Sequence, residues 1–149
     1  MTSKVVIVCG SKKDLEYVKK IEKILKEFKI ETEKFVASAH KTPEKVKEIV
    51  KKFENEENLV FITVAGKSNA LSGMVDFMTN KPVIASPPYS EKFCGMDILS
   101  SLRMPSGVAP MVVLEEENTA IACIKILALK DKNLEKKLIE YKKEKIKEI

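Results

Sequence analysis

Short runs of hydrophobic residues alternate with longer amphipathic segments along the chain, and this alternation predicts its elements. Residues 5–9 form a continuous and mostly β-branched run, which is typical of a strand buried on both faces. Hydrophobic residues then recur at helical spacing, which predicts a first helix over Leu15, Val18, Ile21, Leu25 and Phe28. Strand and helix patterns continue to alternate in this way to the end of the chain.

Further strands are predicted at residues 30–36, 59–64, 82–85 and 111–114. A second helix should begin after Thr42, which suits an N-cap, with Pro43 in its first turn. Other helices are expected around residues 71–78, 121–127 and 134–141, with a break between the last two at 131–133. Residues 86–107 lack periodicity and contain three prolines, so we expect a long loop there, and such loops are usually functional.

This alternation of strands and helices predicts one α/β domain over residues 1–149, built on a parallel sheet with helices on both sides. In such sheets, ligands bind outside the carboxyl ends of the strands. The prediction therefore directs attention to three loops that follow strands, at residues 10–14, 38–43 and 66–73.

Composition narrows the class of protein. No stretch approaches the ~20 apolar residues that cross a bilayer, and the N-terminus shows no basic region or cleavage site, so we expect a cytoplasmic enzyme with no membrane partner. The three cysteines, Cys9, Cys94 and Cys123, are too widely spaced for a zinc knuckle or a disulfide framework. Each is expected to be a small buried hydrophobe.

The formal charge of +5 is carried by mixed runs of lysine and glutamate, such as residues 19–23 and 142–145. Mixed runs favour solvated helix faces over a nucleic-acid-binding surface, so no nucleic-acid partner is expected. Of the 27 basic residues only Arg103 is an arginine. Either chance or a need for a planar guanidinium group explains it.

The first loop joins a strand to a helix through Gly10, Ser11 and Asp14. Glycine permits close approach of a ligand, and the free amides of a helix N-terminus attract an anion such as phosphate. The Asp14 carboxylate suits ribose hydroxyls. An ordinary helix cap is the alternative interpretation of the same residues.

His40 is the only histidine, and it lies in the second loop beside Lys41. An imidazole exchanges protons near neutral pH, so a histidine at a strand's carboxyl end is a candidate acid/base. Lys41 can hold a phosphate or carboxylate as a point charge. The alternatives are a histidine with a structural role and a solvated surface lysine.

The third loop, residues 65–73, contains two glycines and several small polar residues. Backbone amides wrapped around an anion would suit it, and so would a plain helix start. It matches neither the Walker pattern nor the dinucleotide fingerprint. A single histidine without clustered cysteines or carboxylates predicts no metal site.

Together these loops resemble the phosphoribosylaminoimidazole carboxylase family of purine biosynthesis. The resemblance covers nearly the whole chain and rests on four ordered motifs: Gly10-Ser11 followed by Asp14, residues 38–43, Ala65-Gly66, and residues 100–107.

The family has a mutase branch, acting on N5-carboxyaminoimidazole ribonucleotide, and an animal-type (class II) branch that uses carbon dioxide directly. The mutase branch usually has arginine after the histidine, a third loop rich in glycine and alanine, and a second histidine before Leu-Pro-Gly. Here Lys41 follows His40, the third loop contains Lys67, Ser68 and Asn69, and there is no second histidine. The resemblance therefore favours the carbon dioxide branch.

Carried over residue by residue, the resemblance implies that His40 is the acid/base of the reaction. It implies that the ribonucleotide is held by Ser11, Asp14, Ser38 and Lys41, and that Gly66 and Ser68 complete the pocket. Four further candidates are Lys13, Lys67, Asn69 and Arg103.

The implied fold is a flavodoxin-like three-layer α/β/α sandwich. The implied reaction joins aminoimidazole ribonucleotide to carbon dioxide, reversibly and without ATP, metal or another cofactor. A homo-oligomer, a tetramer or octamer, is implied, with a C-terminal helix at about 132–149 packing on a neighbouring subunit rather than only on its own. The mutase reaction and a non-catalytic nucleotide-binding module are the alternative functions.

Overall fold

The computed structural model describes residues 2–149 and has a parallel five-stranded sheet at its centre. Its strands are β1 (Ser3–Cys9), β2 (Glu31–Val36), β3 (Asn58–Val64), β4 (Val83–Ala85) and β5 (Met111–Val112). They lie in the order β2-β1-β3-β4-β5. This is the strand order of flavodoxin-like folds, and it confirms the predicted fold.

Helices cover both faces of this sheet. In residues 2–149 they are α1 (Leu15–Glu27), α2 (Pro43–Lys52), α3 (Leu71–Phe77), α4 (Leu99–Leu102), α5 (Glu116–Ala128) and α6 (Lys132–Lys147). Single turns of 3-10 helix occur at Lys12–Asp14, Glu91–Phe93 and Met96–Ile98. None of the described helices combines the length and apolar character needed to cross a bilayer.

Alternate side chains of β1 enter two different cores. Val5, Ile7 and Cys9 pack with residues of α1, α5 and α6, whereas Val6 and Val8 pack with residues of α2 and α3. All of β1 is therefore buried, which accounts for its continuous hydrophobic run.

The long segment after β4 is more ordered than the predicted loop, because it contains α4 and two of the single helical turns. Gly95, at φ 73°, permits the reversal between those turns. Elements this short carry no hydrophobic period, so the sequence pattern could not reveal them. The prediction for Cys94 is also wrong: it ends a turn in a left-handed conformation and is exposed, whereas Cys9 and Cys123 are buried as expected.

The break between the last two helices lies earlier than predicted. The Asp131 side chain accepts hydrogen bonds from the amides of Asn133 and Leu134, so α6 already begins at Lys132. Leu134 and Leu138 of α6 are buried in this chain's own core. The start of α6 thus packs on its own subunit, and its packing on a neighbour stays a prediction.

Candidate active site

A cavity of about 490 Å³ lies at the carboxyl edge of β2, β1 and β3, where the three predicted loops converge. Here the chain leaves β1 toward one edge of the sheet and leaves β3 toward the other edge, and such a switch point is the usual ligand crevice of these folds. Nine of the predicted site residues line it: Ser11, Lys13, Asp14, Ser38, His40, Lys41, Gly66, Lys67 and Ser68.

In the first loop, Ser11 and Asp14 have separate roles. The Ser11 hydroxyl accepts a hydrogen bond from the Lys13 amide at 3.2 Å, so Ser11 does cap the turn that follows. Asp14 directly precedes α1 but makes no side-chain cap bond. Partial burial raises the pKa of Asp14, and the nearby Lys13 opposes this effect. The Asp14 carboxylate is thus available to the cavity.

The second loop is closed by bonds between its two ends. The Ser38 amide donates to Thr42 Oγ1 at 2.8 Å, and the Thr42 amide donates to the Ser38 carbonyl at 2.8 Å. Thr42 precedes Pro43 as predicted, but its side chain bonds across the loop and not to α2. Ser38 Oγ accepts from the Lys41 amide at 3.2 Å. These bonds fix the turn that presents His40.

One of the residues that hold the third loop, Asp97, was not singled out by the sequence. Asp97 Oδ2 accepts a hydrogen bond from the Lys67 amide at 2.8 Å, and Asp97 also lines the cavity. Within residues 2–149, no hydrogen bond of the protein engages the amides of Gly66 and Ser68. Only some of the loop's amides are therefore free for a ligand, fewer than a loop wrapped around an anion would offer.

Asn69 and Arg103 are not among the residues that line the cavity. Asn69 is buried, and its side-chain amide donates to Ser72 Oγ at 3.0 Å and to Ser101 Oγ at 2.8 Å. Arg103 is exposed in extended backbone directly after α4. The structure brings the other predicted residues together without these two.

The charged side chains that line the cavity are lysines and aspartates. Lys13, Lys41 and Lys67 outnumber Asp14 and Asp97, so the wall favours an anion. The Asp14 carboxylate makes no cap bond to α1, so it can accept hydrogen bonds from hydroxyl groups of a ligand. A small molecule with both an anionic group and hydroxyls, such as a sugar phosphate, matches this combination.

Residues 4–148 match the family described as AIR carboxylase. The chain belongs to the AIR carboxylase family. It is therefore an enzyme of the carboxylase and mutase kind in purine biosynthesis, and its substrate is a small ribonucleotide.

Two curated relatives illustrate the family. The phosphoribosylaminoimidazole carboxylase of Archaeoglobus fulgidus is 60% identical over 146 residues, which covers 98% of this chain and 81% of the relative. The N5-carboxyaminoimidazole ribonucleotide mutase of Methanocaldococcus jannaschii is 50% identical over 139 residues, covering 91% of this chain and 86% of the relative. AIR carboxylase relatives thus carry the names of both reactions.

A solved structure of this family has the same fold. The crystal structure of Treponema denticola PurE superposes with a TM-score of 0.95 at 41% identity, covering 98% of this chain and 93% of the other. The likeness extends over the whole sheet and its helices.

Proposed function

We propose that this chain carboxylates aminoimidazole ribonucleotide at C4 with carbon dioxide, and catalyses the reverse decarboxylation. The observation that carries the proposal is the position of His40, the only histidine, on the wall of a cavity that suits an anion and hydroxyls. The family supplies the substrate class, and His40 supplies the proton chemistry.

The ribonucleotide is held by groups from all three loops. Asp14 accepts hydrogen bonds from the ribose hydroxyls, and Lys41 attracts the phosphate as a point charge. Ser11 and Ser38 add hydroxyl groups, and the amides of Gly66 and Ser68 complete the pocket.

The chemistry begins at C4 of the electron-rich aminoimidazole. An electron pair of the ring forms the C4–carbon bond to carbon dioxide, and one C=O π pair moves onto oxygen to give a carboxylate. C4 then carries both hydrogen and carboxylate. Neutral His40 takes the C4 proton, and the C–H pair restores the aromatic ring. Atoms and electrons balance without ATP, metal or another cofactor, so we propose that none takes part.

The choice of carbon dioxide rests on three features of the sequence. Lysine, not arginine, follows the histidine, the third loop contains Lys67-Ser68-Asn69, and no second histidine is present. These features favour the carbon dioxide reaction over the mutase reaction.

The mutase reaction is the second candidate, because a relative that is 50% identical bears that name. One assay separates the two. Purified enzyme receives either aminoimidazole ribonucleotide with bicarbonate as a source of carbon dioxide, or the N5-carboxy compound. Faster formation of the C4-carboxylated product from the first mixture supports the proposal, and turnover of the second alone supports the mutase. Binding without turnover of either would indicate a non-catalytic nucleotide-binding module.

We further propose a homo-oligomer working in the cytoplasm. The segment after β4 exposes Tyr89, Met96, Leu99 and Leu102, although large apolar side chains are rarely left in contact with water together. A second copy of the chain is the partner that the family resemblance implies for this surface.

A further inference from the structure

A short helical segment after β4 grips the third site loop. It comprises the turn Met96–Ile98 and α4 (Leu99–Leu102), and we call it the clamp. Its hydroxyl and carboxylate groups make hydrogen bonds to Lys67 and Asn69, which lie about thirty positions earlier in the chain.

The clamp holds Lys67 from both sides of the residue. The Lys67 amide donates to Asp97 Oδ2 at 2.8 Å, and its carbonyl accepts from Ser100 Oγ at 2.7 Å. Lys67 has φ 57°, a left-handed conformation that is unfavourable for a residue other than glycine. An unfavourable conformation of this kind persists because the surrounding bonds impose it.

Gly66 allows the carboxylate to approach the loop. A Cβ atom at Gly66 would lie 3.2 Å from Asp97 Oδ2, closer than side chains usually come. Within residues 2–149, the amide of the same glycine is engaged by no hydrogen bond of the protein. The Asp97 contact and the free amide are therefore adjacent along the backbone.

The clamp is itself anchored in buried structure. Ser101 is buried and accepts a hydrogen bond from the Asn69 side chain, which also donates to buried Ser72 at the start of α3. Ser100 Oγ lies 2.8 Å from the carbonyl oxygen of Asp97, so the two clamp residues that bond to Lys67 also contact each other. Asp97 thus acts on the loop from a fixed position.

We propose that Asp97 is a positioning residue of this enzyme. By accepting the Lys67 amide it sets the backbone of Gly66, Lys67 and Ser68, and so aims the free amides and the Lys67 side chain at the ligand. This proposal rests on the proposed function, and it assigns the role to Asp97 as a hydrogen-bond acceptor rather than as a charge.

The test compares Asp97→Ala with Asp97→Asn. Alanine removes the acceptor, and we expect kcat/KM for the ribonucleotide to fall ~10–10²-fold, as misplacement of binding groups typically causes. Asparagine keeps an oxygen acceptor without the charge, so it should recover most of the activity. An equally inactive asparagine variant would overturn the proposal, since charge would then be what matters.

Asp76→Ala is the matched control. Asp76 Oδ2 also accepts a backbone amide, from Ala109 at 2.7 Å, but Asp76 does not line the site cavity. We expect it to lower thermal stability at least as much as Asp97→Ala while leaving kcat/KM nearly unchanged. Equal losses of activity in both variants would show a general structural effect and overturn the proposal.

Hydrogen exchange of the Lys67 amide gives a readout that needs no turnover. Exchange should be faster in Asp97→Ala than in the unchanged chain and near normal in Asp97→Asn. If the unchanged chain turned over neither substrate while this pattern held, the proposed function would fail and the Asp97 contact would stand. Should Asp97→Ala not fold, Ser100→Ala removes the grip on the Lys67 carbonyl and is expected to lower kcat/KM in the same way.

Discussion

At the scale of single residues, the exposed His40 side chain combines access to solvent with a place on the cavity wall. The bonds between Ser38 and Thr42 fix the loop without using the imidazole. His40 can therefore be changed without breaking the contacts that shape the site.

His40→Asn should preserve ribonucleotide binding while turnover falls by ~10²–10⁴, because asparagine keeps a polar side chain but cannot take the C4 proton. Steady-state kinetics with a separate binding measurement checks both parts. Near-normal turnover would remove His40 from the chemistry.

Lys41→Ala should weaken ribonucleotide binding, because the phosphate loses a point charge. Calorimetric titration would show a raised dissociation constant. Lys12→Ala is the control, since Lys12 is an exposed lysine nearby that does not line the cavity. Equal affinities in the two variants would remove Lys41 from the phosphate site.

Asp14→Asn should stabilise the free protein at neutral pH while weakening ribonucleotide binding. Burial raises the pKa of Asp14, so its ionised form is less favourable in the folded chain than in the unfolded chain. The penalty is full above the folded pKa and absent below the ordinary value of 3.8. The gain in thermal midpoint should therefore be present at pH 7 and disappear near pH ~3.

Measuring melting temperature and affinity on the same samples checks this pair of effects. Loss of stability at pH 7 would show that the Asp14 carboxylate supports the fold, and unchanged affinity would remove it from the ribose site.

The three loops that line the cavity could be predicted because each follows a strand that the pattern identifies, and the resemblance implied most of the individual residues within them. Asp97 could not be predicted, since its contact with Lys67 joins two residues that lie thirty positions apart in the chain. Asn69 shows the opposite problem: its place in a site loop is plain from the sequence, but only the structure shows its amide bonded to Ser72 and Ser101.

At the scale of elements, a set of aromatic and polar contacts adds to the hydrophobic packing that attaches α6 to the rest of the chain. The Tyr141 hydroxyl donates to the Glu117 carboxylate of α5, and Lys145 forms an ion pair with the same carboxylate at 2.7 Å. The Tyr141 ring also meets Phe28 edge-on, with centroids 5.8 Å apart. Burial, followed by the bond to Glu117, raises the pKa of Tyr141 to about 12.

Tyr141→Phe should cost about 1 kcal/mol in free energy of unfolding at neutral pH, the usual contribution of such a hydrogen bond. The folded chain holds the Tyr141 proton more tightly than the unfolded chain. Its contribution is thus complete below pH ~10 and is lost as pH rises toward the folded pKa of about 12. Urea unfolding across this range should show the two proteins converging, and a constant difference would contradict the assignment.

The hydrophobic pattern predicted some helices and strands more completely than others. β1 and β3 were predicted almost to their ends, because strands buried on both faces are hydrophobic throughout. The turns within residues 86–107 depend on Gly95 and on contacts with other loops, and neither produces a periodic signal.

At the scale of the whole molecule, the exposed apolar side chains of residues 89–102 distinguish one side of the subunit. Leu99 is 57% exposed on the clamp, the same segment that grips the third site loop. Assembly through this surface and the shape of the site would therefore involve one element.

Leu99→Lys should shift the proposed oligomer toward smaller species, because a charge placed in an apolar contact loses hydration. Sedimentation velocity measures the change. Leu129→Lys is the control: Leu129 is 82% exposed at the end of α5, outside residues 89–102, and its replacement should leave assembly intact. A wild-type chain that sediments as a monomer would refute the oligomer.

The architecture as a whole followed from the sequence, since alternating strands and helices permit few arrangements other than a covered parallel sheet. Strand order did not follow from the alternation itself and came from the resemblance, because nothing in a strand's own residues states which neighbour it pairs with.

The residues that line the cavity are synthesised in an order that bears on when the cavity can form. All of its lining residues except Asp97 precede residue 72, so a ribosome releases the three loops before the residue that holds the third one in place. β4 and the turns after it must be synthesised and docked before Lys67 meets its carboxylate partner. A nascent chain would thus reach its full affinity for substrate only when the later half of the sheet is forming, which makes tight ligand binding a late marker of successful biogenesis.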